Sequence, residues 1–322
     1  HLHELVHAYG DTDELCQSIL ENLRMKIHYR NQLPTRQRVI VFSPHPDDDV
    51  ISMGGMLRKL VTNENEVLVA YMTNGSVAVF DQDVRRHLRF SQMVRDDIFH
   101  QCDDDGAVSS ILEFLAQKKP AQVDTEEVQR IKAYIRYTEA IAAIEIVGLG
   151  VENARFLDLP FYKTGRVKKD PVSKADVDII VDLLNEIVPE HVFVAGDLSD
   201  PHGTHRMCYS AIEQALEVYN RDAADDHLKP EIWLYRGAWQ EWEIDRVDVF
   251  VPLSKADLDR KIEAVFKHES QKDRALFPGA YDDREFWQRA RDRNRETAEK
   301  LDELGLPRFY AAEAYVTADE MP

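Results

Sequence analysis

The chain has 322 residues, and its 40 Lys and Arg against 59 Asp and Glu give a formal charge of −19. Polyanions and anionic lipid repel a chain of that balance, so nucleic acid and the membrane surface are excluded as expected partners. Hydrophobic residues at 44% and charged ones at 31% suit a globular protein with a sizeable core, either one large α/β domain or two ordinary ones.

From the start of the chain, Asp11 to Asn31 carries Leu15, Ile19, Leu23 and Ile27 at a four-residue repeat, which predicts an amphipathic helix capped by Asp11 or Thr12. Pro34 ends the pattern, so residues 1–35 read as a linker helix ahead of a main domain at 36–322. The apolar run Val39-Ile40-Val41-Phe42 predicts a buried parallel strand. A helix from about Met53 to Val61, a strand from Val67 to Met72 and a loop at Thr73-Asn74-Gly75 follow. Residues 81–127 are charged and irregularly patterned and read as a charged helical insertion or lid, before a cleaner helix from about Thr125 to Ile146. Strands are predicted at Arg155 to Leu159, His191 to Ala195, Glu231 to Tyr235 and Val247 to Val251, then two helices between Leu253 and Leu304 and a last strand from Arg308 to Val316. Strands alternating with helices argue for βαβ units and a mostly parallel sheet. No run approaches the ~18 apolar residues of a membrane span. Cys16, Cys102 and Cys208 make no disulfide framework, so a soluble, cytoplasmic protein is expected. Position 1 is His rather than Met, which reads as a processed or excised piece of a longer protein.

Two segments carry chemistry. Ser43-Pro44-His45-Pro46-Asp47-Asp48-Asp49 lies between the first strand and a helix, where open α/β sheets bind ligands. Three consecutive carboxylates repel one another unless a cation or a helix N-terminus offsets them. They could serve only as helix caps, but the prolines flanking His45 fix a rigid extended turn that a cap does not require. Asp200-Pro201-His202-Gly203-Thr204-His205 occupies the matching position after the strand His191 to Ala195, and a helix starting there places His202 and His205 on one face. Either segment alone is a weak signal. Together they supply the nitrogen and oxygen donors of a divalent metal, with three ligands and a position left for water.

These segments resemble the PIG-L/LmbE-type zinc-dependent deacetylases, which act on N-acetylglucosamine-containing substrates. The likeness lies in Pro44-His45-Pro46-Asp47-Asp48, in His202-x-x-His205, and in Lys261, Ala264 and His268-Glu269-Ser270-Gln271. It covers roughly Arg38 to Val316. The resemblance implies a Rossmann-like three-layer α/β/α fold with a mostly parallel sheet. It also implies that His45, Asp48 and His205 bind Zn2+ or another divalent ion. Asp47 would be the general base, and His202 would stabilise the oxyanion or protonate the leaving amine. Arg136, with Glu139, matches the family's Arg-x-x-Glu helix, whose arginine faces sugar hydroxyls. Asp49 stands where the family usually has Glu, and Gly203-Thr204 replaces a frequent Pro-Asp.

A narrower resemblance, through residues 44–55, Leu159-Pro160-Phe161-Tyr162 and residues 233–242, is to the C-terminal deacetylase-like region of bacterial glucosamine-6-phosphate deaminase fusion proteins. It implies covalent attachment to an N-terminal deaminase domain and an amino-sugar phosphate as small-molecule substrate. Asn74 and Lys163 are candidate substrate contacts beside Arg136; Lys163, Arg166, Lys168 and Lys169 form the densest basic loop, which reads equally as solvated surface. Trp233, Tyr235, Trp239 and Trp242 fit sugar stacking or core packing equally well. The expected function is removal of acetyl from an N-acetylated amino sugar or glucosamine conjugate. Hydrolysis of another amide or ester, and a non-catalytic sugar-phosphate-binding module, stay open, and a homo-oligomer is compatible with all three.

Overall fold

The computed structural model describes residues 7–8, 10, 12–100, 106–163, 168–200, 203–222, 229–237, 240–272 and 284–318. Its strands are β1 (Arg38–Ser43), β2 (Glu66–Tyr71), β3 (Ala154–Phe156), β4 (His191–Ala195), β5 (Glu231–Tyr235), β6 (Val249–Leu253) and β7 (Ala311–Ala318). The helices are α1 (Thr12–Met25), α2 (Asp48–Thr62), α3 (Asp81–Asp97), α4 (Gly106–Gln117), α5 (Glu126–Val147), α6 (Lys174–Ile187), α7 (Thr204–Asp222), α8 (Lys255–Val265) and α9 (Phe286–Glu303). No described helix is long and apolar enough to cross a membrane.

All seven strands share one sheet in the order β3-β2-β1-β4-β5-β7-β6. The first five are parallel, and β7 runs antiparallel to both β5 and β6. This is the mostly parallel, Rossmann-like arrangement expected. From β1 the chain steps outward to β2 and β3, then returns to the other side of β1 as β4. That reversal opens a crevice beyond the carboxyl ends of β1 and β4, where such sheets bind ligands. The two chemistry-bearing segments follow these two strands.

Side chains of β1 alternate between two cores. Val39 and Val41 pack with Met56 and Leu57 of α2 and with Ala140 and Ile144 of α5. Ile40 and Phe42 pack on the opposite face with Ile180 and Leu184 of α6 and Ala211 and Ala215 of α7. A strand covered on both faces therefore reads as a continuous apolar run rather than an alternating one. Helix α2 lies so close to β6 that a Cβ on Gly55 would sit 2.5 Å from Leu253 Cδ2, so the position requires glycine.

The structure corrects several boundaries: the front helix ends at Met25 rather than near Asn31, and the last strand, expected from Arg308 to Val316, runs over Ala311–Ala318. Helix α2 starts at Asp48, five residues before the expected Met53, because non-helical dihedrals at Met53 (φ −131°, ψ 24°) kink it and break its apolar spacing. Strand β3 spans only Ala154–Phe156, and the chain leaves the sheet at Asp158, whose φ is +48°. The predicted Val247 to Val251 strand is shifted to Val249–Leu253. The irregular segment after residue 81 resolves into α3 and α4, which with α5 enclose a small core of Val79, Val84, Leu115, Val128 and Ile135. Lys118 and Lys132 each pair with both Asp81 and Asp124 there. At the front of the chain, α1 buries none of its residues, and Ile27 beyond it forms an isolated parallel bridge with Phe250 of β6.

Candidate metal centre and active site

Asp47 occupies the N-cap position of α2, but its side chain makes no cap hydrogen bond. The capping explanation for the acidic run therefore does not account for it. Asp48 is 4% exposed, and its Oδ2 accepts a hydrogen bond from the backbone N–H of His45 at 2.9 Å. The same oxygen lies 3.1 Å from His45 Nδ1 and 3.2 Å from His205 Nε2. His205 reaches it from the first turn of α7, whose amino end is capped by the Asp200 carboxylate accepting from Thr204 N–H at 2.7 Å. The parallel pairing of β1 with β4 brings residues 160 positions apart to one point.

The His205 ring is oriented from behind. Nδ1–H donates to the backbone carbonyl of Asp197 at 2.8 Å, which turns Nε2 towards Asp48. Nε2 is buried and has no well-formed hydrogen bond despite its 3.2 Å approach to the carboxylate. Donors at about 2.0–2.1 Å from one tetrahedral ion lie roughly 3.3 Å apart, so an orphaned nitrogen at this separation fits two ligands of a shared cation. The donor atoms of His45, Asp48 and His205 all fall within 4.8 Å of one another. Burial alone would raise the Asp48 carboxyl; His205 and His45 beside it overcome that effect and hold the group well below the usual carboxylate range. Burial likewise disfavours His205 protonation, but Asp48 raises it to about 9, so a metal entering here displaces a proton.

Asp47 points to the other side of the turn. Its Oδ2 lies 3.1 Å from Arg136 Nη2, and Arg136 is 1% exposed on α5. Gly75, at φ +63°, makes that approach possible: a Cβ there would meet Arg136 Nε at 3.0 Å and Pro46 Cδ at 3.1 Å. Arg136 Nε and Nη1 have no hydrogen-bond partner, and Glu139 one turn on lies 4.0 Å from Nη1. Asp49 is buried beneath the turn. Its Oδ2 accepts from Tyr71 at 3.1 Å, and burial pushes its carboxyl up to about 7 against that hydrogen bond.

The expected substrate contacts Asn74 and Lys163 line one cavity of about 580 Å³, with Tyr134, Tyr137, Asp158 and Tyr162 among its walls. Tyr162 joins that cavity to the metal cluster, its ring meeting the His45 ring edge-on at 6.5 Å. Asn74 donates to Asp158 at 3.2 Å, and Lys169 lies 5.5 Å over the Tyr162 ring. His202, Arg166 and Trp239 lie outside the described residues. Trp233 and Tyr235 are not at the site; they pack in the core with Phe193 and Tyr315, and Trp242 is buried under Arg236. Sequence reasoning missed Asp158, which stands directly beyond a strand end, because the strand was expected to run through it.

The family model for GlcNAc-PI de-N-acetylase (PIG-L) matches residues 40–216. A putative glucosamine-6-phosphate deaminase-like protein of Bacteroides thetaiotaomicron is 46% identical over 88% of this chain, which spans 43% of that relative's length. Among solved structures, GalB, the 4-carboxy-2-hydroxymuconate hydratase of Pseudomonas putida, has a TM-score of 0.52 at 16% identity, covering 88% of this chain and 96% of that one. The N,N'-diacetylchitobiose deacetylase of Pyrococcus horikoshii has a TM-score of 0.50 at 18% identity, covering 96% and 93%. A hydratase and a deacetylase thus share the fold, and the fold alone does not set the reaction. With the family match running from β1 through the His205 helix, and so across both halves of the metal cluster, the chain belongs to the PIG-L family of deacetylases.

Proposed function

We propose that this protein is a zinc-dependent hydrolase that removes acetyl from an N-acetylated amino sugar or a glucosamine conjugate. The supporting observation is the buried His45–Asp48–His205 cluster, with its orphaned Nε2 and with the carboxylate of Asp47 one residue from a ligand. An ion held by these three side chains supplies Lewis acidity and brings the pKa of a water down towards about 7. Asp47, fixed by Arg136, takes the proton of the attacking water. His202 donates to the leaving amine or offsets the developing oxyanion. Arg136 keeps two unpartnered donors for the substrate, and Asn74 and Lys163 bind the sugar in the 580 Å³ cavity.

The relative at 46% identity, named as glucosamine-6-phosphate deaminase-like, supports an amino-sugar phosphate among the substrates and attachment to a deaminase domain in the full-length protein. The test is acetate release from N-acetylglucosamine, its 6-phosphate and N-acetylglucosamine conjugates by the zinc-loaded protein. Asp47→Asn should lower the rate by roughly 10²–10⁴-fold while the metal content holds. No acetate from any of these compounds, or an equal rate from Asp47→Asn, rules the proposal out.

A further inference from the structure

His268, three residues beyond α8, is 2% exposed, yet neither Nδ1 nor Nε2 has a hydrogen-bond partner among the described residues. Each buried polar group left unsatisfied costs about 1–3 kcal/mol, so the ring requires a partner that the described protein atoms do not supply. Burial dominates its protonation and holds it neutral, with a pKa of about 3 despite the nearby Asp47. A neutral imidazole offers one N–H donor and one lone pair.

The ring borders a cavity of about 20 Å³ that Asp47 also lines, in a wall that mixes Ile51, Val265 and Phe286 with Gln271, Lys272 and Glu285. A cavity above about 10–15 Å³ accommodates a single water when polar groups are there to bind it. Two are present. Asp47 Oδ2 is engaged by Arg136, and Oδ1 is the second acceptor of the same carboxylate. Both sides of the cavity are anchored to α5. Arg136 holds Asp47, and Glu139, one turn along, accepts from Ser270 N–H and Oγ–H, each at 2.7 Å, which fixes the loop carrying His268.

We propose that His268 is a positioning residue for Asp47: its ring N–H binds one ordered water in this cavity, and that water donates a hydrogen bond to Asp47 Oδ1. With Arg136 on one oxygen and the water on the other, the carboxylate has a single orientation before substrate arrives. The catalytic consequence rests on the deacetylase reading; the water site itself does not. The other donors on the wall are engaged elsewhere: Trp287 Nε1–H donates to Glu285 Oε2 at 2.7 Å, Gln271 Nε2 donates to Ala78 O and Ser270 Oγ, and the Lys272 ammonium lies over the Phe266 ring, 4.0 Å from Glu269 Oε1.

A crystal structure of the unmutated, metal-loaded protein, at a resolution that shows ordered solvent, tests the site directly. Density within hydrogen-bond distance of both His268 and Asp47 is expected, and an empty cavity overturns the inference whether or not acetate is released. For the positioning role, His268→Phe should abolish the water and lower kcat by about 10–100-fold, with KM and metal content unchanged. His268→Gln, which keeps a side-chain N–H, should recover most of that loss. Wild-type kcat in His268→Phe, or a Gln variant no better than Phe, overturns the role. Failure of the unmutated protein to release acetate sinks the deacetylase reading instead, and the density still decides the inference.

Discussion

Two buried ionic clusters are built to opposite ends. In one, Lys261 Nζ donates to Ser52 O at 3.0 Å, Asn294 Oδ1 at 2.8 Å and Glu313 Oε1 at 2.7 Å, which uses all three ammonium donors. Glu313 in turn accepts from Gly55 N–H, Met56 N–H and the Tyr315 hydroxyl. In the other, His205 Nε2, two nitrogens of Arg136 and both nitrogens of His268 are left without hydrogen bonds among the described residues. Both clusters are charged and buried, so charge and burial do not separate structure from function here. Saturation does. A network with every donor and acceptor used binds α2, α8, α9 and β7 together and has nothing left for a ligand. A network with unused donors and lone pairs costs stability and has capacity to bind.

The contrast can be broken at the saturated end with the largest effect. Lys261→Met leaves Glu313 as an uncompensated buried charge and should cost about 3–5 kcal/mol in urea denaturation. Replacing Glu313 by Gln in the same protein should restore part of that loss, and an additive second loss would show that the pair is not a coupled unit.

At the unsaturated end, the expected effect is smaller and depends on pH. In metal-free protein His205 titrates at about 9, above its ordinary 6.5, so the native state holds more protons than the unfolded one between those values. The stabilisation is fully present below about pH 6.5 and is lost as pH rises through about 9, by up to roughly 3 kcal/mol. A bound metal occupies the same lone pair and should abolish this slope. Thermal melts from pH 6 to 10 with and without chelator check it, and parallel curves would mean that His205 is not a ligand.

The smallest effect serves as the reference for both clusters. Arg155 and Glu186 form a two-pronged pair at 2.7 and 3.1 Å, but both side chains are about half exposed. Arg155→Ala should change stability by less than about 1 kcal/mol, measured in the same denaturation experiment.

Much of the fold was legible because both-face burial leaves a local record. His191 to Ala195 and Glu231 to Tyr235 were bounded correctly from unbroken apolar runs alone. The start of α2 was misplaced because Asp48 and Asp49 in its first turn look like loop residues and the kink at Met53 interrupts the helical period. The end of β3 was misplaced because nothing in Leu157-Asp158-Leu159 announces a left-handed backbone at a non-glycine residue. At the site, residue types and spacing marked the two segments as sources of metal donors, and the family resemblance picked out His45, Asp48 and His205 within them. That Asp47 faces Arg136 rather than the helix amides was beyond any local pattern, since the two lie 89 positions apart and meet only because Gly75 leaves room.

Sequence by itself determined the class of the fold, the two strand-end motifs and the donor types they carry, because alternation of apolar segments and short-range spacing are local properties. Tertiary structure alone decided which buried polar groups are satisfied. Saturation of Lys261 and the orphaned nitrogens of His205 and His268 depend on atoms from helices, strands and loops far apart in the chain. Hydrogen-bond geometry over a few tenths of an ångström is set by packing, and no single segment encodes it.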